Sequence, residues 1–175
     1  MKLNLGSGND IKEGYINVDN VSQEGISLII DLNEVPYDLE RDSVEEIYAS
    51  HILEHLDNPI KILKEWHRIC KNKAKIIIRV PHFSSWANFA DPTHKNRFSY
   101  FYMDYFTDTD FYQERIEKNM FKIVKRRINY LPSHLYSRIN FLTYPIFNLF
   151  PKIYERFLYG ILPSSEIYWE LEVIK

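Results

Sequence analysis

Cysteine is all but missing from this chain: one residue, Cys70, in a sequence of 175. It has no partner for an intrachain disulfide, and no C-x-x-C pair exists to hold a metal or run redox chemistry, so a reducing cytoplasm is the expected location. An excess of either charge is missing too. The 22 basic and 24 acidic residues leave a formal net charge of -2, which gives neither the electrostatic footprint of a nucleic-acid binder nor an acidic tail. No uncharged apolar run of about 18 residues occurs. The longest apolar, aromatic stretch, Leu135 to Leu162, contains Arg138, Lys152, Glu155 and Arg156 and is interrupted by Pro145 and Pro151, so no transmembrane span is expected. Internal repeats, low-complexity tracts and linkers are also lacking. Met1 leads directly into an apolar strand pattern without the basic, apolar and small-residue regions of an export signal.

What is present suits one domain, 1–175, since the length and an apolar content of 45% allow a single sizeable core. Short apolar runs alternate with polar connections at Lys2 to Leu5, Tyr15 to Val18, Ile26 to Ile30 and Val44 to Ala49, each the length of a buried strand. A helix is predicted from near Asn58, with Asp57 or Asn58 as its cap, Pro59 in its first turn, and an apolar face of Ile62, Leu63, Trp66, Ile69 and Cys70. Lys75 to Val80, with three consecutive isoleucines, reads as a strand buried on both faces and closed by Pro81. The alternation predicts a largely parallel α/β sheet, which binds ligands beyond the carboxyl ends of its strands. From Pro81 to Phe111 the chain reads as a long aromatic loop followed by a helix, and Phe121 to Ile128 and Ile167 to Ile174 read as late strands.

Lys2 to Gly8 places two glycines one apart immediately after the first strand, where a ligand can approach backbone without meeting a Cβ. By itself a G-x-G is also an ordinary turn. Its context is Asp19 at the end of the second run and Asp31 at the end of the third. A glycine loop and two acids then form a row matched to a ligand with a ribose and an exocyclic amine, although aspartate also simply begins turns.

These segments resemble the class I methyltransferases, and especially their small methyltransferase type 11-like branch. Leu3 to Gly8 resembles the family's first motif, Asn17-Val18-Asp19 its ribose-binding strand end, and Asp31-Leu32 its adenine contact. Ser50 to Leu56 is similar to the segment after its fourth strand, and Leu63 to Val80 to the helix and strand that follow. The resemblance covers about the first hundred residues well and the last ten more loosely. It implies a Rossmann-like sheet of about seven strands, the last antiparallel, with helices on both faces. It also implies S-adenosylmethionine as cofactor and a cofactor-binding half over 1–80, with 81–175 on the substrate side. Asn4, Gly6, Ser7 and Gly8 would hold the methionine part, Asp19 the ribose, Asp31 and Leu32 the adenine, and Ser50 and His51 the region of the sulfonium.

Three features depart from the family pattern. Asn4 stands where an acid is usual, which removes a charge from beside the cofactor's ammonium. The link from Gly8 to Tyr15 is too short for a full crossover helix. Lys71-Asn72-Lys73-Ala74 replaces a proline and two glycines, so that Asn72 is expected to supply the left-handed residue.

A sulfonium is already an activated electrophile, so catalysis needs alignment, exclusion of water and, for a hydroxyl or amine acceptor, a base near neutral pKa. His51, His82 and His94 are the candidates, though each equally suits a role in fixing loop shape. No metal is assigned to this site. His51, Glu54 and His55 do form an H-x-x-E-H string, which on a helix would set two imidazoles on one face for zinc hydrolysis, but that reading leaves the glycine loop and both acids unexplained. The aromatics from Trp86 to Phe106 either cover an acceptor or pack beneath a loop. The expectation is an S-adenosylmethionine-dependent methyltransferase, monomer or homodimer, acting on a small-molecule or glycan-like acceptor. The alternatives are a non-catalytic module binding S-adenosylmethionine or S-adenosylhomocysteine, and the zinc hydrolase. Leu135 to Leu162 would be sheet packing, a dimer face or an interfacial membrane contact.

Overall fold

The computed structural model describes residues 1–107, 119–131 and 137–175, the first four of the last stretch by backbone alone. Phe111, Leu135 and the Arg138 side chain lie outside the described residues. Seven strands form one sheet: β1 (Lys2–Leu5), β2 (Ile16–Asp19), β3 (Leu28–Ile29), β4 (Val44–Ser50), β5 (Cys70–Pro81), β6 (Phe121–Asn129) and β7 (Glu166–Val173). Their order is β3-β2-β1-β4-β5-β7-β6. All pair in parallel except β7, which runs antiparallel between β5 and β6. This is the Rossmann-like arrangement with a single reversed strand.

Alternation sets the sheet's faces, because successive side chains of a strand point to opposite sides. Leu3, Leu5, Val18, Ile47, Ala49, Ile76, Ile78 and Val80 are fully buried. Trp66 and Ile69 of α1 (Pro59–Ile69) and Trp169 of β7 join them in the same core. Local chemistry starts α1 as the sequence predicts: Asn58 caps it by accepting from Lys61 N, and Pro59 occupies the first turn.

Several boundaries differ from the sequence reading. Cys70 is not on the helical face but begins β5, pairing with Val44 before a register shift. The left-handed residue is Lys73, at φ 64° within the first part of β5, not Asn72, whose Oδ1 instead accepts from Lys175 N. The three isoleucines alternate, Ile76 and Ile78 buried and Ile77 half-buried, as expected where only one face packs against the main core. Between Gly8 and Tyr15 there is only turn and irregular backbone, in accord with the short link.

The aromatic stretch divides. Phe98, Tyr102, Tyr105 and Phe106 pack with the main core, Tyr100 and Phe101 join Ile128, Phe147 and Tyr154 in a smaller cluster, and Trp86 and Phe89 are exposed. Trp86 caps and Phe89 lies within α2 (Ala87–Ala90), which with the 3-10 turn Tyr102–Phe106 is the helical structure among the described residues of the loop after β5. The apolar segment forms α3 (Ser137–Asn148), with Pro145 inside it, then α4 (Pro151–Ile153) and one π-helical turn, Tyr154–Leu158. Little of it packs. Phe147 and Tyr154 are buried, whereas Phe141, Leu142, Tyr144, Ile146, Leu149, Phe150, Ile153, Phe157 and Ile161 are exposed. Among the described residues no helix is long and apolar enough to cross a membrane.

Candidate active site

Parallel pairing brings the ends of β1, β2 and β3 side by side, and each end turns back at the same sheet edge. Gly6 turns at φ 62°, and a Cβ there would run into the Ile52 side chain, so backbone strain and contact both favour glycine. Gly6, Asp19, Asp31 and Leu32 line one cavity of about 230 Å³, together with Ile52, His55 and Lys95. Its lining thus combines a glycine with two carboxylates.

The neighbouring residues brace this cavity from behind. Gly8 N donates to Asp19 Oδ2 at 2.8 Å, and Asn20 N and Val21 N donate to Oδ1 at 2.9 and 3.3 Å. A carboxylate has about four lone-pair sites, so these bonds fix the carboxylate and leave roughly one site, on Oδ2. Asp31 Oδ1 accepts from Asn33 N at 2.9 Å. Buried Asn4 donates to Asp10 O at 2.7 Å and Asn17 Oδ1 at 2.8 Å. Ser7 N and Oγ both donate to Val18 O. Asn4, Ser7, Gly8 and Ser50 therefore line neither this cavity nor the next; the first three hold the glycine turn against β2.

A second cavity of about 650 Å³ adjoins the first, with His55 in the wall of both. His51, Glu54, His94, Trp86, Asp91 and Glu166 line it. His51 stands at the end of β4 with φ 54°, a left-handed conformation costly for a residue with a Cβ and found preferentially at functional sites. The H-x-x-E-H string is accordingly not helical through His51; only Leu53–His55 form a 3-10 turn. The two imidazoles of the zinc-hydrolase pattern thus do not share a helix face.

His51 is held between two buried acids. Its Nδ1 lies 3.2 Å from Glu54 Oε1 and its Nε2 3.5 Å from Glu166 Oε2. Desolvation opposes the charged ring, but hydrogen bonding and attraction from Glu166 and Glu54 outweigh it and raise the pKa to about 9. At neutral pH His51 keeps its proton and serves as a donor and a positive charge. Glu166 is 1% exposed, lies 2.8 Å from Arg79, and its Oε1 accepts from Asn129 Nδ2 at 2.6 Å. Burial pushes its carboxyl up, yet His51, Arg79 and Asn129 together hold it down to about 2.

His82 is placed elsewhere. Its ring is fully buried, with Nδ1 against Ser84 and Nε2 3.0 Å from Glu155 Oε1, and it lines neither cavity. It ties the loop after β5 to the π-helical turn, the shape-fixing role, because both ring nitrogens are already engaged. His94 does line the larger cavity, near Asp91 and His55.

Glu166 escaped the sequence reading, although a signal for it existed. A last strand running antiparallel begins at the edge where the others end, so the acid opening the run before Ile167 belongs at that edge. Ile52 and Lys95 had no such signal.

Comparison with known proteins agrees with the fold. Residues 7–78 match the family described as methyltransferase domain. A SAM dependent methyltransferase from Archaeoglobus fulgidus is 18% identical, with a TM-score of 0.60 over 98% of this chain and 85% of that one. An S-adenosylmethionine dependent methyltransferase from Mesorhizobium loti is 10% identical, with a TM-score of 0.54 over 98% and 89%. A chain from the complex of the Haloferax volcanii Trm112 methyltransferase activator with a methyltransferase is 12% identical, with a TM-score of 0.57 over 99% and 82%. No curated protein matches the sequence.

The Glu166 carboxylate gives a pH-dependent stability with a defined window. A carboxyl held near 2 in the fold, against an ordinary 4.5, stabilises fully above about pH 4.5 and loses that contribution as pH falls toward 2. Urea unfolding at pH 6 and pH 3 should show the wild type losing about 2 kcal/mol more than Glu166→Gln. Equal losses would show that Glu166 is not held ionised by its neighbours.

Proposed function

We propose that this chain, whose residues 7–78 match the methyltransferase-domain family model and whose seven-stranded sheet has one reversed strand, is a class I methyltransferase that methylates a small-molecule or glycan-like acceptor held in the larger cavity. In this reading S-adenosylmethionine lies with its adenosine in the smaller cavity, over Gly6 and between Asp19 and Asp31. His55, shared by both cavities, and His51 would border its sulfonium end. The observation that carries the reading is the adjacency of the two cavities: one has bare backbone and strand-end acids, the other charged groups and an exposed tryptophan.

The residues divide the work. Asp19, already oriented by three backbone donors, takes a ribose hydroxyl with its remaining lone pair, and Asp31 with the backbone of Leu32 reads the adenine. Ser7, Gly8 and Asn4 act by holding the turn in place. The cofactor supplies the activated methyl group, and the protein aligns the nucleophile and excludes water. His51, positively charged, suits an oxygen-bearing acceptor through donation and attraction. His55 and His94 line the same cavity on the acceptor's side.

The apolar segment supports a more specific reading of where the acceptor comes from. Phe83 packs against Tyr159 at 5.1 Å between ring centroids, and Glu155 is turned inward to His82, Ser99 and Tyr100. The segment's exposed face therefore lies beside the loop of the larger cavity and presents apolar side chains with Lys152 and Arg156. An apolar face flanked by cations suits an anionic lipid surface, from which an acceptor can enter past Trp86. Vesicles containing phosphatidylserine should co-sediment the protein, and Phe141→Ser/Phe150→Ser should abolish this; a dimer that buries the face and ignores vesicles contradicts it.

Calorimetry with S-adenosylhomocysteine tests the main reading. Asp19→Ala should weaken binding by roughly 1.5 to 3 kcal/mol, about 10- to 150-fold, the worth of hydrogen bonds to a charged group. An unchanged affinity would remove Asp19, and with it the proposed placement of the cofactor.

A further inference from the structure

Neither the fold nor methyl transfer accounts for two buried polar atoms beside the larger cavity. Glu54 is fully buried, and while its Oε1 meets His51, its Oε2 has no hydrogen-bond partner among the described residues. His94, whose side chain is 7% exposed, has an Nδ1 equally without one. Buried polar atoms are nearly always satisfied, and an unsatisfied carboxylate oxygen is among the costlier exceptions. Both residues belong to one cluster: a ligand-capable atom from each of Glu54, His55 and His94 lies within 4.8 Å of the other two. The two imidazoles cross edge to face, 4.6 Å between centroids.

The surroundings of the histidines favour metal-ready tautomers. Thr93 Oγ1 donates its proton to Asp91 Oδ1 at 2.6 Å, so at 2.9 Å from His55 Nδ1 it accepts, placing the His55 proton on Nδ1 and leaving Nε2 a lone pair. Asp91 Oδ2 lies 3.6 Å from His94 Nε2, which favours the proton there and leaves a lone pair on the unpartnered Nδ1. One aspartate thus orients both rings, directly and through a hydroxyl, as outer carboxylates orient metal-binding histidines.

We propose that Glu54, His55 and His94 bind one divalent transition-metal ion of the zinc class. Two imidazoles and a carboxylate are the donor set of open catalytic zinc sites, which keep a further position for water or substrate. Donors around such an ion at about 2.1 Å stand roughly 3 to 3.5 Å apart, so the three draw together on binding. The set differs from the hydrolase pattern of the sequence, since His94 replaces His51. All three ligands line the larger cavity, and the ion's open position there takes an acceptor oxygen and fixes its direction. The metal site rests on these side chains and not on the methyltransferase reading.

Full-length protein stripped with EDTA, then titrated with Zn²⁺ alone and with Co²⁺ followed by its visible absorption, should bind one equivalent. His94→Ala and Glu54→Gln should each weaken binding at least tenfold, and Thr93→Val, which removes no ligand but only the partner of His55 Nδ1, about tenfold. Circular dichroism checks folding; if a ligand variant does not fold, Thr93→Val decides. Failure of the wild type to bind either ion, or wild-type affinity in the folded variants, overturns the proposal. S-adenosylhomocysteine calorimetry on the same stripped protein reports on the cofactor cavity separately, so loss of one site cannot be mistaken for loss of the other.

Discussion

Parallel pairing of β1 with β2 and β4 is the constraint from which the site follows. Parallel strands all end on one edge, and each must leave that edge through a turn. Leu3, Leu5, Val18, Ile47 and Ala49 bury the strands at 0–1% exposure, which fixes register, since a slip by one residue would turn every apolar side chain to the other face. With register fixed, Gly6, Asp19, Asp31 and His51 arrive together at the edge. Reversal of β7 then places the start of that strand, Glu166, opposite Pro81 at the same edge.

On that frame charge alternates across a short distance: Arg79, Glu166, His51, Glu54. Each ion is expensive to bury alone and becomes tolerable through the next one. The last member, Glu54, ends the row with an oxygen that none of the described residues satisfies. An ion bound by Glu54, His55 and His94 would continue the alternation into the larger cavity. Positive φ at His51 fits the same picture, because backbone strain of about 1 kcal/mol or more persists where neighbouring bonds hold it.

Locally determined features were legible in the sequence, and features set by distant chain segments were not. The glycine turn, the two strand-end acids, the Asn58-Pro59 helix start and the missing crossover helix each depend on a few consecutive residues. The left-handed Lys73 was misplaced by one residue, because Asn72 has the better intrinsic preference and is instead engaged by the chain's last residue. His82 and His94 look alike as letters. Glu155, 73 positions along, buries one, while Asp91 and the His55 ring place the other at a cavity. The apolar segment stayed open among three readings for a related reason: composition gives its apolar character but not which partner covers its face.

The most direct test of the central claim is a crystal structure with S-adenosylhomocysteine bound. The account predicts density for the nucleoside across Gly6, a ribose hydroxyl at Asp19 Oδ2, adenine beside Asp31 and Leu32, and the thioether sulfur facing the larger cavity near His51. Density for the nucleoside at any other surface, with Asp19 and Asp31 untouched, would contradict it.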